Sequence, residues 1–142
     1  MSNDTLIAAA KLRAKQLALD SALVCAVCEQ ESAWNPWAIR YEPAFYDEYV
    51  RPLKLSSDTE AHMRSVSWGL MQVLGQVARE RGYRDELAKL CDPDVGLAVG
   101  CDVLKAKLAE AGGNIHDGLQ RYNGGGNPLY AEQVMGRMAK FA

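Results

Sequence analysis

Residues 20–36 read Asp20-Ser21-Ala22-Leu23-Val24-Cys25-Ala26-Val27-Cys28-Glu29-Gln30-Glu31-Ser32-Ala33-Trp34-Asn35-Pro36. Asp20 or Ser21 can cap a helix, because a short side-chain oxygen satisfies N–H groups that the first turn leaves unpaired. Leu23, Val24 and Val27 continue a helical apolar pattern to about Ser32, and Asn35-Pro36 punctuates its end. Cys25 and Cys28 have the C-x-x-C spacing of zinc or redox sites. They sit inside the apolar pattern, however, and not at a turn or helix N-terminus where a thiolate would be stabilised. No second pair with ligand spacing follows, and Cys91 and Cys101 stand apart. All four cysteines are therefore expected to be reduced, metal-free core residues.

Working outward, the chain reads as nearly all helix. Asn3 or Asp4 can cap a first helix carrying Leu6, Ala9, Ala10 and Leu17. Pro43 can open a short aromatic helix with Phe45, Tyr46 and Tyr49. Arg51-Pro52 to Asp58 reads as a loop, with Ser57 or Asp58 as the cap of another short helix. Ser67 to Gln72 looks like a tight connection leading into Val73–Arg81. Asp92-Pro93 is a strong helix start, and the helix runs through Leu97, Cys101, Leu104 and Leu108 to Gly112-Gly113. Asn114 can cap the next helix, which ends at Tyr122 or Asn123 before three glycines. A last helix is expected from Pro128 to Lys140. No long alternating stretch calls for a sizeable sheet, although two or three short strands around 40–72 fit the pattern. The expected fold is mainly α, a single domain over residues 1–142.

The 142 residues suit one core and are too few for two ordinary ones. Apolar residues make up 49% and charged residues 24%, as in ordinary globular chains. A net charge of −2 gives no electrostatic case for nucleic acid as a partner. No segment has the length and apolarity of a membrane span. The first thirty residues lack the order of a signal peptide, so synthesis in the cytoplasm without an export signal is expected.

Three segments place polar residues where a plain helix bundle would not need them. Glu31 ends an apolar helix just before the chain turns. A carboxyl group half-buried there has its pKa raised by desolvation and can serve as a general acid. Cleavage of a glycosidic bond requires such an acid for the leaving oxygen. Glu29 lies nearby, and this segment alone does not choose between them. Gly69-Leu70-Met71-Gln72 joins a glycine, which permits close backbone approach, to an amide suited to a sugar hydroxyl or acetamido group. Tyr122-Asn123 precedes Gly124-Gly125-Gly126, a helix stop whose tyrosine could orient a substrate or bond the acid.

Taken in order, these segments resemble the soluble lytic transglycosylase family, with its lysozyme-like fold. The resemblance runs from about Ala22 to Val134. It rests on Glu31-Ser32 after an apolar helix, Gly69 to Gln72, Asp92-Pro93 with Gly100 later in that helix, and Tyr122 to Gly125. Tyr130 matches a tyrosine of the final helix. The resemblance implies that Glu31, not Glu29, is the catalytic acid, and that the helix bearing Cys25 and Cys28 is buried so as to deliver it to a cleft. It implies cleavage of the β-1,4 bond between N-acetylmuramic acid and N-acetylglucosamine with 1,6-anhydro ends. Gln72, Tyr122 and Asn123, then Tyr46 and Tyr130, are the expected substrate-binding residues. No metal or cofactor is implied. The expected partner is peptidoglycan, met by a monomer without membrane insertion.

Two departures stand out. The family usually has a serine nine residues after its catalytic glutamate, and this chain has Arg40. Many members have only a short loop where Tyr41 to Arg64 stands here. With Ser67-Trp68-Gly69, this insert looks like those of phage-encoded cell-wall lysins, including some muramidases. Delivery from a virion or through a permeabilised membrane is the corresponding expectation. A hydrolytic muramidase is the alternative reading, with Glu42 as its second carboxylate, ahead of Asp47 and Glu48. A non-catalytic glycan-binding virion protein is a third.

Overall fold

Seven residues without a polar side chain, Ala22 to Cys28, leave helix α2 (Ser21–Ser32) no face suited to water. A helix apolar on every side is stable only when other elements surround it. In the computed structural model, which describes residues 2–142, α2 is the centre of the core, and Val24 to Cys28 are fully shielded. It is enclosed by α1 (Asn3–Gln16), α8 (Tyr130–Arg137) and a closing 3-10 turn at Met138–Phe141. Asp20 caps it, its Oδ1 accepting from the N–H of Ala22 at 2.8 Å and of Leu23 at 3.4 Å. The far end breaks at Ala33 and Trp34, both left-handed, with φ of 49° and 66°. Trp34 turns back into the core and meets Phe141 edge-on, centroids 5.8 Å apart.

The mainly helical expectation holds. α6 (Pro93–Glu110) opens on Asp92, whose Oδ1 accepts from the N–H groups of Asp94 and Val95. α7 (Ile115–Asn123) opens on Asn114 and closes on Gly124 at φ 83°. Three strands form a small antiparallel sheet in the order β1 (Ile39–Tyr41), β2 (Val66–Trp68), β3 (Val73–Leu74). Its register sets Arg40 opposite Ser67.

Four boundaries differ from the expectations. The cap of α1 is Ser2, not Asn3 or Asp4, with its Oγ accepting from the N–H of Thr5 at 3.3 Å. The insert is more ordered than a loop: α3 (Pro43–Phe45) runs into a π turn at Tyr46–Val50 and a 3-10 turn at Arg51–Leu53. Past the next short helix, α4 (Asp58–Arg64, capped by Ser57), α5 (Gly75–Glu80) starts later than Val73, because Val73 and Leu74 pair in the sheet. The last helix starts at Tyr130, not Pro128, because Asn127 Oδ1 takes the N–H of Leu129 at 3.0 Å and holds the preceding turn.

All four cysteines are buried and free. Burial pushes the Cys25 thiol up to about 11 and the Cys101 thiol up to about 12, so both stay protonated and pack as small apolar groups. Among the described residues, no helix is long and apolar enough to cross a membrane.

Candidate active site

Glu31 occupies the last turn of α2, where the buried run meets the bend at Ala33. Its carboxyl group is partly buried. Tyr130, in the first turn of α8 and only 2% exposed, donates from Oη to Glu31 Oε2 at 2.7 Å. Desolvation is the largest influence on Glu31 and raises its pKa to about 7; the Tyr130 hydrogen bond and the positive charge of Arg40 oppose that rise. Such a group can both give and take a proton near neutral pH. Glu29 is driven the opposite way. Lys140 Nζ and Arg137 Nη1 both bond its Oε1, at 2.5 Å and 2.7 Å, and hold its pKa below the usual carboxylate range. Of the two acids, Glu31 is the one able to carry a proton at neutral pH.

A polar seam fixes α8 against α2 and so sets Tyr130 opposite Glu31. Arg137 Nε donates to Gln30 Oε1 at 2.8 Å, and Gln30 Nε2 donates to Gln133 Oε1 at 3.0 Å. Gln120 ties α7 to the start of α8: its Oε1 accepts from the N–H of Ala131 at 2.7 Å, and its Nε2 donates to Asn127 O at 3.2 Å. None of these partners stood out in the sequence. A mid-helix Gln or a C-terminal Arg has no local signature, since its partner lies elsewhere in the chain.

The Gly69–Gln72 segment reaches the same region from the other side. Gly69 has φ 74°, and a Cβ there would collide with the backbone oxygen of Leu90, so glycine is required twice over. Met71 is fully buried against α6, where a Cβ on Gly100 would lie 2.5 Å from Met71 Sδ. Tyr122 Oη donates to the Met71 carbonyl at 2.6 Å. Burial pushes the Tyr122 phenol well up, and the charge of Glu31 adds to this, so Tyr122 is a neutral donor beside the acid.

The family model of the transglycosylase SLT domain matches residues 8–135. The chain belongs to this family. No curated protein and no solved structure gives a match. As a transglycosylase SLT domain, with the lysozyme-like fold of that family, it is an enzyme of peptidoglycan cleavage acting on the bacterial cell wall. The matched span holds every candidate site residue, and the structure of this SLT domain gives these residues different surroundings.

Glu31, Tyr130 and Tyr122 gather around one buried region. Gln72 adjoins it, with its backbone at φ 49°. Both Gln72 amide contacts go to backbone, Nε2 donating to Ala38 O at 2.9 Å and to Gly69 O at 3.0 Å. Asn123 Oδ1 accepts from the N–H of Asn127 at 2.9 Å and shapes the loop after α7. Tyr46 belongs to the insert, stacked on His62 at 4.4 Å with Arg51 over its ring at 4.9 Å. Glu42 Oε1 pairs with Arg40 Nε at 3.2 Å. A separate depression, lined by Glu60, Arg64, Gln76, Arg79, Glu80 and Arg84, shares no residue with this cluster.

Proposed function

We propose that the chain cleaves the β-1,4 bond between N-acetylmuramic acid and N-acetylglucosamine, with Glu31 as its single catalytic acid and base. The observation that carries this reading is the state of Glu31: partly desolvated, with a pKa near 7, and bonded by the neutral Tyr130. Protonated Glu31 gives its proton to the bond oxygen as that bond breaks, and the N-acetylglucosamine side leaves as an alcohol. The acetamido oxygen of the muramic acid stabilises the positive charge left at the anomeric carbon, a substrate-assisted route that needs no second protein carboxylate. Ionised Glu31 then takes the proton of the 6-hydroxyl, and that oxygen closes on the anomeric carbon to give a 1,6-anhydro ring. Atoms balance without water, and Glu31 ends protonated, ready for another turn.

Tyr130 keeps the Glu31 carboxyl oriented, and Tyr122 holds the Gly69–Gln72 segment in place through Met71. The pairing of Glu42 with Arg40 favours this route over the hydrolytic one, since the carboxylate that would have to hold a water is already engaged by a guanidinium. The test is solubilisation of purified cell walls by wild type and by Glu31→Gln, with mass spectrometry of the products. Loss of activity in a folded Glu31→Gln protein and 1,6-anhydro ends from wild type are expected. Reducing ends from wild type would replace transglycosylation with hydrolysis.

A further inference from the structure

We propose that Arg40 is a specificity-determining residue that binds a carboxylate on the muramic acid arm of the substrate, with Glu42 holding its side chain in position. This rests on the peptidoglycan-cleaving reading above. That arm is a lactyl ether. It ends in its own carboxylate where no peptide is attached, and in the carboxylates of the stem peptide where one is.

The strand register places Arg40 at the site. β1 is stitched to the Gly69–Gln72 segment: the Ala38 carbonyl accepts from the N–H of Gly69 at 2.8 Å and from Gln72 Nε2 at 2.9 Å. The same segment carries the Met71 carbonyl that Tyr122 bonds. Arg40 follows Ala38 by two residues and lies opposite Ser67. Its positive charge reaches Glu31 and acts against the carboxyl's rise.

Arg40 also differs from the protein's structural arginines. Arg79 commits its three nitrogens to Glu60, Tyr83 O and Asp85 O, and its side chain is 14% exposed. Arg81 grips both oxygens of Asp102. Arg40 meets Glu42 through Nε at 3.2 Å, while its side chain is 77% exposed. Glu42 is itself anchored, its backbone N–H donating to Ser65 O at 2.8 Å. An arginine steadied at Nε keeps both terminal nitrogens for a ligand, and a guanidinium edge matches a carboxylate in a paired, planar contact. A carboxylate is what separates the muramic acid glycan from a plain β-1,4 polymer of N-acetylglucosamine.

The test uses short glycan strands of four kinds: bearing stem peptides, stripped of peptide to free the lactyl carboxylate, and each of these two with carboxylates converted to methylamides. Equilibrium binding is measured by calorimetry with the Glu31→Gln protein, which leaves the strands uncut. Carboxylate-bearing strands should bind about tenfold or more tighter than their methylamides, the range of a hydrogen bond to a charged group. Adding Arg40→Met should abolish that difference, and Arg40→Lys should restore part of it. A preference seen with stripped strands assigns the lactyl carboxylate; one confined to peptide-bearing strands assigns the stem peptide. Equal binding of blocked and unblocked strands by the Arg40 protein would overturn the proposal. So would an Arg40→Met loss of equal size on both. If Glu31→Gln cleaves walls at the wild-type rate while the carboxylate preference persists, the catalytic reading fails and the role of Arg40 stands.

Discussion

Tyr130 Oη reaches Glu31 Oε2 at 2.7 Å across 99 positions of sequence, so the last helix of the chain controls the acid that ends the second. The bond favours the ionised carboxyl and therefore lowers its pKa against the larger, opposing effect of burial. Tyr130→Phe should let the Glu31 pKa rise further above 7. Cleavage by an acid fails as pH rises through that pKa, so the alkaline limb of the wall-solubilisation profile should move to higher pH. The ring still fills its space, and the stability cost should be about 1 kcal/mol. A limb that stays in place or moves down would remove Tyr130 from the control of Glu31.

Gln72 was expected to face the sugar, and its amide nitrogen also bonds the protein's own backbone. Its amide spans two backbone carbonyls while its own backbone sits at φ 49°. Gln72→Ala removes both bonds and keeps a Cβ in a left-handed conformation. A fall in stability of about 1–3 kcal/mol is expected, along with lower activity. Thermal unfolding decides the matter: an unchanged midpoint with lost turnover would return Gln72 to the substrate.

The contrast between Gln72 and Asp92 shows what the sequence carried. Asp92-Pro93, Asn114 and the run Ala22 to Cys28 act within one turn of themselves, and each was legible as a cap or a core helix. A desolvated carboxyl was legible at the end of an apolar helix, but that position left Glu29 and Glu31 open, and it was the resemblance that singled out Glu31. Tertiary partners were not. The ion pairs that hold Glu29 as a carboxylate come from Arg137 and Lys140, more than a hundred residues away. The amide of Gln72 was spent on Ala38, which no local pattern announces. The insert was read as partly loop because Arg51-Pro52 is turn-like. Its π and 3-10 turns gain support from Tyr46 stacking on His62, a contact between separate elements.

Glu60 anchors a second network, accepting from Arg64 Nε at 2.6 Å and from Arg79 Nε at 2.9 Å. The hydrogen bond from Arg79 is the largest influence holding its pKa at about 2. A carboxyl depressed in the folded state stabilises it above the unfolded pKa, and that contribution is lost as pH falls from about 4.5 through 2. Because the side chain is partly exposed, the contribution at neutral pH should be about 1–2 kcal/mol after screening. Glu60→Gln should lower the unfolding midpoint at pH 7 and lose its deficit toward pH 2. An equal deficit at both pH values would mean that packing, not charge, is what Glu60 supplies.

Glu31 should show the opposite dependence. Its folded pKa, about 7, lies above the 4.5 of a free side chain. The protonated form is the one the fold prefers, so the carboxyl is harmless to stability below the unfolded pKa. Stability is then lost as pH rises from about 4.5 to 7, and the loss is complete above that range. A shift of this size corresponds to about 3 kcal/mol as an upper figure, since one pKa unit is about 1.4 kcal/mol and the group is only partly buried. Gln keeps the shape and the acceptor that Tyr130 needs, and it carries no charge to desolvate. Glu31→Gln should therefore unfold at a higher temperature than wild type at pH 8 and at nearly the same temperature at pH 4. General acid–base catalysis typically contributes about 100- to 10,000-fold, so its wall-solubilising activity should drop by at least that range's lower bound at every pH. A more stable but inactive protein at pH 8 is the paired signature of an acid kept in a costly site for its chemistry. If Glu31→Gln is instead less stable than wild type at pH 8, Glu31 is a structural carboxylate whose charge the fold uses.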